Sequence, residues 1–173
     1  MAKTEPVVFI VDDDEEVRKS LGKLIEAVGF NVRTFASSQE FLESFDFSGP
    51  GCLVLDIRMP GMSGLKLQNK LAEHRSQLPI IFITSHGDVS TATEAFKSGA
   101  VDFIEKPFSE QKLLDSINKA IETSLKNYSD HIKIADIQQR MDTLTPRERE
   151  ILDGVVDGKT NKMIGLELNL SPK

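Results

Sequence analysis

The sequence predicts an α/β fold, a doubly wound parallel sheet of five strands, followed by a long helical linker and a small, partial all-α segment. Three observations predict it. Short β-rich apolar runs alternate with segments whose apolar residues recur at helical spacing. Glycines stand where several of those helices should end. The strongest runs deliver polar residues to their carboxyl ends, where open parallel sheets gather their chemistry.

The first run, Val7 to Val11, ends in Asp12-Asp13-Asp14, with Glu15 and Glu16 behind it. Val17, Leu21, Leu24 and Val28 then follow at helical spacing and Gly29 closes that helix. Asn31 to Phe35 alternates as a second strand, and Ser37 or Ser38 can cap a short helix carrying Phe41, Leu42 and Phe45. Ser48-Gly49-Pro50-Gly51 turns the chain into Cys52-Leu53-Val54-Leu55, a buried run that carries Asp56 to its end and breaks at Pro60-Gly61. Taken alone, Asp56 also fits a helix cap or a turn aspartate. Ser63 can cap a helix with Leu67 and Leu71 inward, after which Pro79 opens Ile80-Ile81-Phe82-Ile83, ending in Thr84-Ser85. The next helix should turn Val89, Ala92 and Phe96 inward and close at Gly99. Val101-Asp102-Phe103-Ile104 forms the fifth strand and ends in Glu105-Lys106-Pro107.

Between Pro107 and Pro146 there is neither glycine nor proline, so Leu114, Ile117, Ile121, Leu125, Tyr128 and Ile132 fit one long helix or two joined ones. Ile134, Ile137, Met141 and Leu144 add a three-four alternation that fits either a shielded linker or a self-association helix. Thr145 then caps a new helix with Pro146 at its first position, and Ile151, Leu152, Val155 and Val156 should form its inner face up to Gly158. A second helix runs from Thr160 through Met163, Ile164 and Leu166, Asn169-Leu170 turns, and Ser171-Pro172-Lys173 starts a third. Gly154 to Thr160 imitates a phosphate-binding loop, but it is one residue short between its glycines and follows a helix rather than a strand.

Composition narrows the function classes. Hydrophobic residues make up 39% and charged ones 28%, with no signal peptide and no apolar run long enough to span a bilayer, so a cytoplasmic protein is expected. The one cysteine, Cys52, falls in a buried strand and should be core. The net charge of −6 arises entirely before the linker, where an acidic cluster suits a divalent cation.

If the strands are ordered as in other folds of five alternating units, Asp12-Asp13, Asp56, Thr84 and Lys106 meet at one edge. Singly, Thr84 reads as a strand-end hydroxyl, Phe103 as core and Lys106 as a solvated strand end. Together, gathered carboxylates call for a hard cation such as Mg²⁺, while a hydroxyl and an ammonium can hold phosphoryl oxygens. An aspartate nucleophile completes a set sufficient for phosphoryl transfer.

Asp12-Asp13, Leu-Asp56-Ile-Arg-Met-Pro-Gly, Thr84-Ser85 and Lys106-Pro107-Phe108 resemble the flavodoxin/CheY-like receiver domain of bacterial two-component response regulators. The resemblance implies that Asp56 accepts a phosphoryl group from a sensor histidine kinase. It implies Mg²⁺ held by Asp13 directly, Asp12 through water, Asp56 and the Arg58 carbonyl. It further implies Lys106 on the phosphoryl oxygens, a cis peptide before Pro107, and Thr84 with Phe103 as the switch pair. Arg58 and His86 stand where this family tunes the lifetime of the phosphoryl group; His74 and His131 should be solvated.

Leu144-Thr-Pro-Arg-Glu-Arg-Glu-Ile-Leu152, Gly158-Lys-Thr-Asn-Lys-Met-Ile164 and Leu170-Ser-Pro-Lys173 resemble the LuxR/FixJ-type helix-turn-helix, whose helix beginning near Ser171 enters the major groove. The expected division is a receiver over 1–123, a linker over 124–144 and the N-terminal part of a DNA-binding domain over 145–173, truncated at the start of the recognition helix. Lys159, Thr160, Asn161, Lys162 and Lys173 form its incomplete DNA-contacting set, with promoter DNA as partner of the complete protein. Homodimerisation on phosphorylation is expected. The alternatives are a receiver acting as phosphate sink or relay, and a phosphohydrolase of haloacid dehalogenase type. The latter family carries a second aspartate two residues after its nucleophile, where this chain has Arg58.

Overall fold

The computed structural model describes residues 5–44 and 49–169. Phe45, Ser48, Leu170, Ser171, Pro172 and Lys173 therefore lie outside the described residues. The chain divides into two compact units, Met1–Ser129 and Asp130–Lys173.

In the first unit, β1 (Val7–Val11), α1 (Glu15–Ala27), β2 (Asn31–Phe35), α2 (Ser38–Ser44), β3 (Gly51–Asp56), α3 (Gly64–Glu73), β4 (Ile80–Thr84), α4 (Val89–Lys97) and β5 (Asp102–Glu105) alternate as expected, and α5 (Glu110–Asp142) begins. The five strands are ordered β2-β1-β3-β4-β5 and every pairing is parallel. The two-residue period of the central strands divides their side chains between two cores. Val8, Ile10, Cys52, Val54, Ile81 and Ile83 pack with Ile25 of α1 and Leu113, Ile117 and Ile121 of α5. Phe9, Val11, Leu53, Leu55 and Phe82 pack on the other face with Phe41 of α2, Leu67 and Leu71 of α3 and Ala95 of α4. Both faces of the sheet are thus covered, which accounts for uninterrupted apolar strands. Cys52 is core as expected, and burial pushes its thiol up to about 12.

The helix ends obey local chemistry. Asp14 caps α1, Ser63 caps α3 and Asp88 caps α4 through side-chain oxygens. Gly29 and Gly99 take the left-handed conformation that ends α1 and α4. In the first unit three inner faces differ from the sequence expectation. On α4, Val89 is 85% and Phe96 49% exposed, and the buried residue is the small Ala95. Val28 follows α1 as its C-cap and is half exposed, and α5 turns in Leu113 rather than Leu125.

The long glycine-free stretch is one helix, α5, whose last part belongs to the second unit with α6 (Pro146–Val156) and α7 (Asn161–Glu167). Ile134 and Ile137 lie three positions apart in that last part, on one side of the helix. Both are exposed. Thr145 caps α6 with Pro146 at its first turn, as expected, and the structure adds a reciprocal capping box between Thr145 and Glu148. Val155 and Val156 are exposed instead of inward, because the α6–α7 contact is made by Gly154 against buried Ile164. A Cβ at Gly154 would stand 2.9 Å from Ile164 Cγ1, so only glycine lets the helices meet so closely. Met163 and Leu166 point outward, and Asn169 ends α7 with φ of 51°.

Candidate functional site

Parallel pairing brings Asp12, Asp56, Thr84 and Lys106 to adjacent strand ends at the carboxyl edge of the sheet. Asp12 follows β1 and is almost wholly buried. One carboxylate oxygen accepts from Asp14 N–H at 2.9 Å, the other from Lys106 Nζ at 3.0 Å, and Arg18 Nη1 donates to the Asp12 carbonyl at 2.6 Å. Asp56 ends β3, where its Oδ2 accepts from Arg58 N–H at 2.9 Å and its Oδ1 lies 3.4 Å from Lys106 Nζ. The Lys106 ammonium therefore joins two carboxylates that the sequence sets 44 positions apart. Gly64 permits this construction: a Cβ there would stand 2.3 Å from the Asp56 carbonyl oxygen, so α3 starts directly against the backbone of Asp56.

Charge and burial oppose each other here. Burial pushes the Asp56 carboxyl above its ordinary value; the Lys106 ammonium pulls it back, and the Asp12 carboxylate pushes it up further. For Lys106, burial alone would lower the ammonium, but the hydrogen bond and charge of Asp12, with those of Asp56, hold it above its ordinary value. The donors at this edge are oxygens, which suits a hard cation. Among the described residues no three His, Cys, Asp or Glu stand close enough together to hold a metal ion. A cation here would be one that takes one or two carboxylates and keeps much of its water, the habit of Mg²⁺.

Beside this cluster, the buried Thr84 hydroxyl is engaged with the backbone of His86: it accepts from His86 N–H at 3.2 Å and can donate to the His86 carbonyl at 3.3 Å. The Phe103 ring is partly buried against the second core and faces Gly87, where a Cβ would stand 3.0 Å from its Cε1. Gly87 N–H in turn reaches the Glu105 carboxylate at 3.4 Å. The loop after β4 is thus bonded to Thr84, packed on Phe103 and tied to Glu105. The peptide between Lys106 and Pro107 is cis.

The structure joins Asp12, Asp56 and Lys106, sets Thr84 and Phe103 beside them, and leaves Asp13 exposed outside the Lys106 cluster. Arg58, His86 and His131 are exposed, and so is His74. In the second unit Lys159 is paired with Glu167 at 2.7 Å and Thr160 is engaged as the cap of α7, while Asn161 and Lys162 are exposed; Lys173 lies outside the described residues. Sequence reasoning missed Gly64, Gly87, Arg18 and Glu105. Only Gly64, directly after the capping Ser63, carried a local hint.

Residues 8–118 match the family described as response regulator receiver domain, and residues 142–173 match bacterial regulatory proteins of the luxR family. The chain is 40% identical over 171 residues to the response regulator protein TodT of Pseudomonas putida, covering 99% of this chain and 75% of that one. It is 44% identical over 170 residues to the transcriptional regulatory protein FixJ of Rhizobium meliloti, covering 98% of this chain and 83% of FixJ. The solved structure of the response regulator StyR superimposes with a TM-score of 0.88 at 41% identity, over 96% of this chain and 84% of StyR.

Proposed function

Since this chain belongs to the two-component response regulators and joins a receiver domain to a LuxR-type DNA-binding domain, we propose that Asp56 is its phosphoacceptor. The observation that carries this reading is the buried Asp12–Lys106–Asp56 cluster at the carboxyl edge of the sheet. An Asp56 oxygen forms a bond to phosphorus as the bond from phosphorus to an imidazole nitrogen of the kinase breaks, and that nitrogen leaves with the electron pair. Lys106, held charged by its two carboxylates, is placed to pass to an oxygen of the new acyl phosphate. Asp13, Asp56 and the Arg58 carbonyl are the groups that would hold Mg²⁺ directly, two carboxylates and a carbonyl, with Asp12 engaged through water. When bound, Mg²⁺ supplies charge neutralisation for the phosphoryl oxygens.

The output follows from the same edge. A phosphoryl oxygen offers the Thr84 hydroxyl a stronger acceptor than the His86 carbonyl, and loss of that hydroxyl frees the loop against which Phe103 rests. Rotation of Phe103 then alters the surface of α4, β5 and α5, which we read as the dimerisation face of the phosphorylated protein. We divide the chain into a receiver over 1–123, a linker over 124–144 and a DNA-binding part over 145–173, acting in the cytoplasm. No described helix is long and apolar enough to cross a membrane. The protein is read as a regulator rather than a phosphohydrolase of haloacid dehalogenase type, because the residue two beyond Asp56 is the exposed Arg58 in place of a second acid.

The test is intact mass after incubation with Mg²⁺ and acetyl phosphate. One phosphoryl adduct, absent with chelator and in Asp56→Asn, is the expected result. An adduct that persists in Asp56→Asn would overturn the assignment.

A further inference from the structure

Asp102 opens β5, one residue before the switch ring, and its carboxylate is shared between two elements. Oδ1 accepts the Phe103 N–H at 2.8 Å, while Oδ2 accepts the Ser116 hydroxyl of α5 at 2.5 Å. Ser116 is only 7% exposed. Its hydroxyl has a second acceptor in reach, the Lys112 carbonyl of its own helix at 3.1 Å. A serine carries one hydroxyl proton, so the two bonds are alternatives. The bond to a carboxylate is the stronger, but the bond back to the preceding turn costs only a side-chain rotation. Neither choice strands a buried donor, and the half-buried Asp102 can turn its freed oxygen to water.

About two turns further along, the buried Ser124 hydroxyl accepts Gly51 N–H at 2.9 Å and ties α5 to the start of β3. That tie sits away from the switch residues. The helix therefore has one fixed bond to the sheet and one with a built-in alternative, the second reaching the backbone of Phe103 itself.

We propose that Asp102 and Ser116 form a releasable strap that couples the switch aromatic to α5: while Phe103 stays in its present position the strap holds the start of α5 on β5, and repacking of the ring turns the Ser116 hydroxyl to the Lys112 carbonyl and frees the helix. The trigger rests on the receiver reading above; the strap's geometry does not. Asp102 and Ser116 are positioning residues and touch no reacting atom.

Hydrogen exchange of the α5 amides over residues 112–124, read in the full chain with and without acetyl phosphate and Mg²⁺, tests it. In the wild type, phosphorylation is expected to speed exchange there about tenfold, the worth of one hydrogen bond to a charged group. Ser116→Ala should be fast already and gain less than about twofold on phosphorylation, with the same yield of adduct. Ser116→Thr keeps the hydroxyl and should restore the response. A wild-type helix that does not respond overturns the strap. So does a Ser116→Ala variant that is faster by one factor in both states, as a purely structural bond would make it. A second arm needs no phosphoryl group: Phe103→Leu, Ser116→Ala and their combination, compared by the same exchange, should be non-additive. Additivity overturns the coupling, whereas a missing adduct with non-additive exchange would count against the phosphoacceptor reading alone.

Discussion

α3 and α4 follow neighbouring strands, are close in length and start from capping side chains, yet α3 buries Gly64, Leu67, Gln68 and Leu71 while α4 buries only Ala95. α3 begins against the Asp56 backbone and sends two leucines into the core. α4 holds its carboxyl end partly through its neighbour: Gln68 Nε2 donates to the Ala95 carbonyl at 3.1 Å and the Ser98 carbonyl at 3.2 Å. At its amino end lies the loop that rests on Phe103. The half of the sheet edge that holds Asp56, the proposed phosphoacceptor, is therefore packed firmly, and the half that carries the proposed switch is held by few apolar contacts. Elements that switch are drawn from the less stable part of a fold.

The largest expected effect acts on the firm half. Asp56→Asn should abolish the phosphoryl adduct in the intact-mass measurement while leaving the sheet folded. Next comes packing. Leu71→Ala removes a side chain that is 2% exposed and should cost about 2–5 kcal/mol in urea unfolding, whereas Phe96→Ala on α4 should cost less than about 1 kcal/mol. Equal losses from the two helices would break the contrast between them.

A smaller effect concerns pH. Burial raises Asp56, so the folded state binds its proton more tightly than the unfolded chain, whose carboxyl titrates near about 3.9. Stability contributed by the protonated group falls as pH climbs from that value through the raised folded one, and at neutral pH the buried charge is a net cost. Asp56→Asn should thus unfold at a higher temperature than the wild type at pH 7, the advantage shrinking as the solution is acidified. An advantage independent of pH would mean that charge is not its source.

How much of this could be read from the residues differs between the same two halves. Asp12, Asp56 and Thr84 were legible because each ends a strongly apolar, bounded run, and Lys106 because it follows the short fifth strand; parallel order then places strand ends together. The face of α4 was not legible. Val89 and Phe96 dominate its apolar periodicity, but burial falls on Ala95, whose single methyl carries little pattern. Gly154 misled in the same way, since the residue that permits closest approach has no side chain to signal it, and Val155 and Val156 beside it drew the expectation instead. Gln68 and the Asp102–Ser116 pair were invisible for another reason: a polar bond between distant elements has no period, and either side chain alone fits a solvated surface.

The smallest stability effect, and the one that sharpens the contrast most, is expected at one of two glycines given the same methyl. At Gly64 the new Cβ would meet the Asp56 carbonyl oxygen at 2.3 Å, and backbone on both sides cannot yield, so Gly64→Ala should disturb the acceptor site itself. At Gly87 the Cβ would stand 3.0 Å from Phe103 Cε1, and a ring can turn where a backbone cannot. The contact presses on the ring, while the lost freedom of the unfolded chain offsets it by about 0.4–1 kcal/mol. Gly87→Ala should therefore leave the unfolding midpoint within about 0.5 kcal/mol of the wild type and yet move Phe103 toward its alternative position. Ring resonances of Phe103 that shift part of the way to their phosphorylated positions, without any phosphoryl donor, would confirm that the β4–α4 loop holds the switch by contact. Resonances that stay in place would move the restraint from the ring to the Thr84–His86 hydrogen bonds.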